Sequence, residues 1–227
     1  MDITMTPVDK NNVDEAIDIG VRIFGEVDRE GITQEFRAAA GIQPEKDIVE
    51  RDLNIVEPKF YIFSKDCENA GVIGQGRIKG HEDDSWPSWF GILPEHRGGG
   101  MARTLINKIF NLAASEPGVK TVRFYTTTEE KHKVARDLYV RMGFKEEPYK
   151  PGATDAASMV VVFSRAVKPE YDTEEYSWEN CAYPLDCAKY VIPAMDEKYG
   201  FNKDLSDNDD GRDDMPPPSC HSPNDGG

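Results

Sequence analysis

Apolar residues along the chain recur at two spacings, one near 3.6 residues and one of two, and each spacing marks a kind of element. Residues 2–7 alternate as a short strand. Residues 11–24 then carry Val13, Ala16, Ile17, Val21 and Phe24 on one helical stripe, which Gly25 is placed to end. A weaker helical stretch covers 33–40. After Pro58 the run 59–64 predicts a buried strand, and the apolar, Gly-rich 70–79 pairs with it as a hairpin whose turn falls at 68–71. Gly74 and Gly76 miss the dinucleotide-binding spacing by one residue and read as strand glycines beside a bulge.

A third strand of this meander covers 86–93 and runs through a glycine-rich turn into an amphipathic helix with Met101, Leu105, Ile106, Ile109, Phe110 and Ala113 on one face. Ser115 to Gly118 stop it. Residues 119–125 predict a strand in which Val122 and Phe124 alternate with Thr121 and Arg123. Residues 129–142 predict a helix buried at Val134, Ala135, Leu138 and Met142, with Gly143 as its stop. A short strand begins at Phe144, and 158–164 is the last apolar strand. The order β, α, α, β, β, β, α, β, α, β, β defines an α+β domain, because hairpin strands precede two strand-to-helix units.

Beyond residue 165 the pattern changes. Leu185, Ala188, Ile192, Met195 and Tyr199 keep helical spacing, but Pro193 would break a continuous helix. From Asn202 onward Asp, Asn, Ser, Pro and Gly leave almost nothing to bury, which predicts disorder. The expected organisation is therefore a folded domain over 1–165, an aromatic-rich extension over 166–201 that docks on a protein surface, and an acidic tail over 202–227.

Composition sharpens this division. The 227 residues carry a net charge of -15, but 15 acidic against 5 basic side chains lie after Arg165, so the domain itself is only mildly acidic. An acidic body repels phosphate backbones, which argues against nucleic acid as a partner. No apolar run approaches the roughly 18 residues that span a bilayer, and the first residues lack the pattern of a secretory signal, so the expected setting is cytoplasmic, without a membrane partner. Cys67, Cys181, Cys187 and Cys220 are scattered, with no pair at metal-ligand spacing, so free thiols and no metal are expected.

The chemistry concentrates in Ile92-Leu-Pro-Glu-His-Arg97-Gly-Gly-Gly100-Met-Ala102. A strand, a turn of three glycines and a helix start leave several backbone N–H groups unpaired and aimed one way, a natural cradle for phosphate oxygens. No Gly-Lys-Ser/Thr follows, and the glycines are contiguous, so neither a P-loop nor a dinucleotide fingerprint fits. The segment Arg97 to Ala102 resembles the R/Q-x-x-G-x-G/A acyl-coenzyme A signature of the GCN5-related N-acetyltransferases (GNAT), and Ile92-Leu-Pro94 resembles that family's V-x-P lead. Ala135-Arg-Asp-Leu-Tyr139-Val-Arg-Met-Gly143-Phe144 is similar to its A-x-x-L-Y-x-x-x-G-F segment. The resemblance covers roughly residues 2–165.

That resemblance implies a mixed, mostly antiparallel twisted sheet flanked by helices, with acetyl-coenzyme A as co-substrate. It implies that the backbone amides of Arg97, Gly98, Gly99, Gly100, Met101 and Ala102 hold the pyrophosphate, and that an N–H of Ile92 or Leu93 faces the thioester oxygen. Tyr139 would be the general acid that protonates the leaving thiolate. Read without the motif, Tyr139 is an ordinary core tyrosine. The acceptor would be a primary amine on a small molecule or peptide, and many members of the family pair through sheet edges as homodimers. A non-catalytic acyl-coenzyme A sensor or interaction module is the rival reading.

Three positions depart from the family pattern. His132 stands where the family often has an Asn that contacts the coenzyme; it retains a donor for that contact, and a histidine at a helix start is otherwise expected to be solvated. No carboxylate lies between Ser85 and Leu93, which leaves Glu82, Asp83 and Asp84 as base candidates that otherwise read as solvated turn residues. Trp86 and Trp89 either wall the acceptor groove or pack against the first two helices. No Ser-His-Asp order, nucleophile elbow or reactive cysteine context is present, so direct attack by the bound amine is the expected chemistry.

Overall fold

The computed structural model describes residues 3–149 and 159–172. The aromatic stretch beyond Asp172, the acidic tail and Cys181, Cys187 and Cys220 lie outside the described residues. Among the described residues, seven strands and five α-helices follow the expected order with one addition. They are β1 (Ile3–Pro7), α1 (Val13–Phe24), α2 (Arg29–Ala39), α3 (Glu45–Leu53), β2 (Ile55–Lys65), β3 (Glu68–Ile78), β4 (His81–Ile92), α4 (Met101–Ser115), β5 (Thr121–Thr127), α5 (Lys133–Arg141), β6 (Lys145–Pro148) and β7 (Val160–Ala166). Helix α3 is the addition. Its stripe is too thin for periodicity to reveal, since only Val49 is buried among many charged residues.

The strands form one sheet in the order β1-β2-β3-β4-β5-β7-β6. Every pairing is antiparallel except β4 with β5, which run parallel. Helices α4 and α5 cover a core that includes Phe63, Ile73, Phe90, Leu105, Phe124, Tyr139 and Phe163. Helices α1 and α2 cover a second core of Ile17, Ile32, Phe36, Phe60, Val72, Trp89 and Leu93. A third, smaller core joins α3 to Ile78, Trp86, Tyr125, Tyr149 and Val162. Among the described residues, no helix is long and apolar enough to cross a membrane.

Several local expectations are corrected. The β2–β3 turn is two residues earlier than its glycine suggests: Lys65 pairs with Glu68, and Asp66 and Cys67 both take positive φ, as a tight two-residue hairpin requires. Strand β4 begins at His81 rather than Trp86, so Asp84 lies inside the sheet. All seven residues of β5 are buried, because helices cover both faces, and the polar Thr121 and Arg123 are enclosed with the apolar ones. In α5 the buried positions are Ala135 and Tyr139, while Val134 is exposed and Leu138 and Met142 are half-buried. The expected irregularity at the strand glycines is present. Phe60 lies so close over Gly74 that a Cβ there would collide with its ring, and the β3–β4 register shifts on either side of Gly74 and Gly76.

Candidate acyl-transfer site

Strands β4 and β5 pair at only two positions, Asp84 with Thr121 and Ser85 with Val122. Beyond them the two parallel strands part, and the rest of β4 up to Ile92 has no ladder partner on its β5 side. The closed end of this splay is held by charge. Arg123 Nε lies 2.8 Å from Asp84 Oδ2 with both side chains almost fully buried, and Arg123 Nη1 reaches Ser164 Oγ at 2.5 Å and Glu147 at 3.5 Å.

At the open end, backbone alternation decides which groups are offered. Leu93 donates its N–H to the carbonyl of Ala70 at 2.8 Å, so its amide belongs to the β3–β4 ladder. Ile92 stands opposite Gly71, and because successive residues of an antiparallel ladder face opposite sides, its N–H and C=O turn toward the splay. Of the two expected amide donors, Ile92 is the one left unpaired by the ladder. Its carbonyl accepts a bond from Arg97 Nε at 3.0 Å, which ties the following turn back to the strand end.

That turn is the glycine-rich segment. Gly98, Gly99 and Gly100 all have positive φ, between 60° and 92°, and a Cβ on any of them would meet nothing within 4 Å. The turn is therefore open on its outer side and shaped by conformations that glycine adopts freely. Met101 gives its N–H to Gly98 and Thr104 gives its N–H to Gly100, whereas the N–H groups of Gly98, Gly99, Gly100, Ala102 and Arg103 make no hydrogen bond within the described residues. Five unpaired amides at the positive end of the 15-residue α4 fit a polyanionic group such as a pyrophosphate.

Tyr139 hangs from α5 into the core, 1% exposed, with its ring 4.7 Å from that of Phe124 on β5 and flanked by Phe144 and Phe163. His132 is buried rather than solvated, because the short turn Glu130–His132 folds it over the end of β5, where Nδ1 lies 2.7 Å from Thr127 Oγ1. Arg136 fixes the same junction by donating to the carbonyls of Thr127 and Glu129.

The carboxylates considered as bases are all engaged. Asp84 is paired with Arg123, Asp83 with Lys120 at 3.1 Å, and Glu82 accepts from the Gly80 amide at 3.0 Å. Both tryptophans are core residues: Trp89 packs edge-on to Phe24 under α1 and α2, and Trp86 joins the cluster around Tyr125. The carboxylate that periodicity missed is Glu35. It lies on the buried stripe of α2 with Gly31, Ile32, Phe36 and Ala38, in a narrow recess lined also by Phe60, Gln75, Trp86 and Ser88. Burial pushes its pKa up to about 7. A helix start placed at residue 33 instead of Arg29 hides Gly31 and Ile32, and with them the sign that a carboxylate occupies an apolar stripe.

Among the described residues no group of His, Cys, Asp and Glu side chains is placed to hold a metal ion. Residues 57–146 match the acetyltransferase (GNAT) domain family. No curated protein matches the chain. Among solved structures, a GNAT-family protein from Desulfovibrio desulfuricans is similar at a TM-score of 0.56 and 14% identity, over 74% of this chain and 100% of its own. A chimera of the spermidine N-acetyltransferase SpeG from Vibrio cholerae with hSSAT is similar at 0.51 and 15%, over 75% of this chain and 98% of its own. RimL, a ribosomal alpha-N-protein acetyltransferase in complex with coenzyme A, is similar at 0.51 and 12%, over 72% and 93%. At these identities the likeness is one of fold.

Proposed function

We propose that the domain transfers an acetyl or other short acyl group from acyl-coenzyme A to a primary amine held in the same complex. The observation that carries this reading is the adjacency of two features along one stretch of backbone: the splay edge ending at Ile92, and five unpaired amides beginning six residues later at the head of α4. The amides bind the pyrophosphate, and the splay receives the extended chain that leads from it to the thioester.

In this reading the amine nitrogen attacks the thioester carbonyl. The Ile92 N–H meets the oxygen that becomes negative, a fixed donor that costs no reorganisation as charge develops. When the carbon–sulfur bond breaks, the thiolate takes the phenolic proton of Tyr139, and the proton shed by the amine passes to solvent or to a base. Two facts support Tyr139: its place in the Ala135 to Phe144 segment, and its seat against β5, the strand that borders the splay. The acceptor is a small-molecule or peptide amine. The fold relatives named for spermidine and for a ribosomal protein span both types.

One observation favours a second reading. Tyr139 is closed off from solvent, and Glu82, Asp83 and Asp84 all have partners, as suits a module that binds acyl-coenzyme A without turnover. A screen of amines for free thiol release from acetyl-coenzyme A tests the two together. Release that depends on one class of amine is the expected result. A coenzyme-induced rise in melting temperature with no release for any amine overturns the transferase reading in favour of the sensor.

A further inference from the structure

Ile92 turns two groups toward the splay, and one of them is already engaged. In an antiparallel ladder the N–H and C=O of a residue face the same side, so both groups of Ile92 point away from β3. Its carbonyl accepts from Arg97 Nε at 3.0 Å. An extended chain lying along this edge is therefore favoured with an acceptor oxygen opposite the Ile92 N–H, and disfavoured with a donor opposite the carbonyl. The Arg97 side chain sets the register of whatever lies there.

The rest of Arg97 is placed for a second contact. The short turn Pro94–His96 reverses the chain, and the Arg97 backbone N–H closes it on the carbonyl of Pro94 at 3.3 Å, so this amide is not among those offered to an anion, contrary to the expectation from sequence. Glu95, the acidic residue nearest in sequence, pairs with Arg22 of α1 at 2.7 Å. Among the described residues neither Nη nitrogen of Arg97 makes a hydrogen bond or an ion pair. The half-buried guanidinium thus keeps its charge and its remaining donors free, one residue ahead of the glycine turn.

A guanidinium is planar and rigid, so its two ends cannot move independently. An anion seated against the Nη nitrogens fixes the plane, and the plane at Nε fixes the Ile92 carbonyl. The Ile92 N–H flanks the same Cα and faces the same side, so its direction follows.

Resting on the acyl-transfer reading above, we propose that the Arg97 side chain is a positioning residue that couples the two ends of the ligand site: its Nη nitrogens meet the pyrophosphate, its Nε holds the Ile92 carbonyl, and occupancy of the turn thereby fixes the Ile92 N–H that faces the thioester oxygen. Arg97 acts on the reaction through Ile92 and does not touch the reacting atoms. Without the strut the donor drifts, and a misplacement on the order of 1 Å lowers turnover by about 10- to 100-fold. Binding at the phosphate end is in this way used at the reacting end, so a thioester that lacks the phosphates loses kcat and not affinity alone.

The test uses Arg97→Lys, which keeps the charge as a point on a flexible stem, and Arg97→Met, which keeps the stem alone. Inorganic pyrophosphate is added to each protein, and the melting temperature is followed together with the Ile92 amide resonance, assigned by its loss in Ile92→Val. In the parent, pyrophosphate is expected to raise the melting temperature and shift the resonance. Arg97→Lys should keep most of the rise and lose the shift, and Arg97→Met should lose the shift with a smaller rise. In turnover, Arg97→Lys should lose about 10- to 100-fold in kcat with acetyl-coenzyme A, with KM little changed, yet match the parent with acetyl-pantetheine, which carries no phosphate. Equal losses on the two thioesters would mark a merely structural role and overturn the coupling. Parent-like kcat in Arg97→Lys, or a resonance shift that survives in it, would reduce Arg97 to a charge and do the same. A parent whose melting temperature rises with pyrophosphate while Ile92 stays unmoved loses the strut alone. One that shows the coupled shift and transfers to no amine loses the transferase reading alone, and one that responds to neither pyrophosphate nor acetyl-coenzyme A loses both.

Discussion

Asp84 and Arg123 face each other at 2.8 Å from neighbouring parallel strands, at the last point where those strands pair. Their side chains are 3% and 4% exposed, so the pair is dry, and removing one partner strands the other charge inside the protein. Asp84→Ala is expected to cost about 3 kcal/mol or more in a urea titration. Replacing both with apolar residues should recover much of that loss. A single variant within about 0.5 kcal/mol of the parent, the range of ordinary surface substitutions, would show that Glu147 and Ser164 compensate Arg123 unaided.

Gly100 has φ of 77° with open space where a Cβ would stand, so a side chain there strains the backbone by roughly 1–2 kcal/mol without a clash. Gly100→Glu should fold, and it should abolish the rise in melting temperature that acetyl-coenzyme A gives by binding the folded state alone. The added carboxylate stands where the pyrophosphate is proposed to bind. A full thermal shift in the folded variant would remove the turn from the site.

Tyr139→Phe preserves the ring that packs between Phe124 and Phe163 and removes only the hydroxyl. Coenzyme binding is expected to be unchanged, and kcat should fall on the order of 10² to 10⁴ if the phenol donates the proton. Parent-like kcat would assign that proton to water.

Glu35 makes stability depend on pH. Its folded pKa, about 7, is raised above the ordinary carboxyl value of 4.5 by burial, so the folded state holds the proton more tightly. The contribution is fully present below about pH 4.5 and is lost as pH rises through about 7. The loss is about 3 kcal/mol across that window. Glu35→Gln should therefore be more stable than the parent at pH 8 and nearly equal to it at pH 4. Denaturant midpoints at the two pH values check this, and a parallel offset at both would contradict it.

What could be read from sequence follows from which signals are local. The helical stripe of α4 and the three glycines ahead of it are fixed by side chains within one or two turns of each other, and they were legible together with the family motif. The burial of Asp84 was not, because it depends on β4 extending back to His81 and on Arg123, 39 positions later, arriving on the adjacent strand. The choice between Ile92 and Leu93 likewise turns on pairing with Ala70 and on a bulge that no periodicity announces. Glu35 was hidden by a boundary: four residues at the head of α2 separate an exposed glutamate on a weak helix from a buried one on an apolar stripe.

The two-pair contact between β4 and β5 also bears on how the domain comes apart. The four strands β1 to β4 are joined by long ladders, as are β5, β7 and β6, but the backbone seam between these groups has only two residue pairs. Cooperative opening units tend to follow contiguous supersecondary structure, so the seam divides the sheet into two leaves of separate hydrogen-exchange stability. A ligand lying in the splay would add bonds across that seam, and the two leaves would then protect each other's amides.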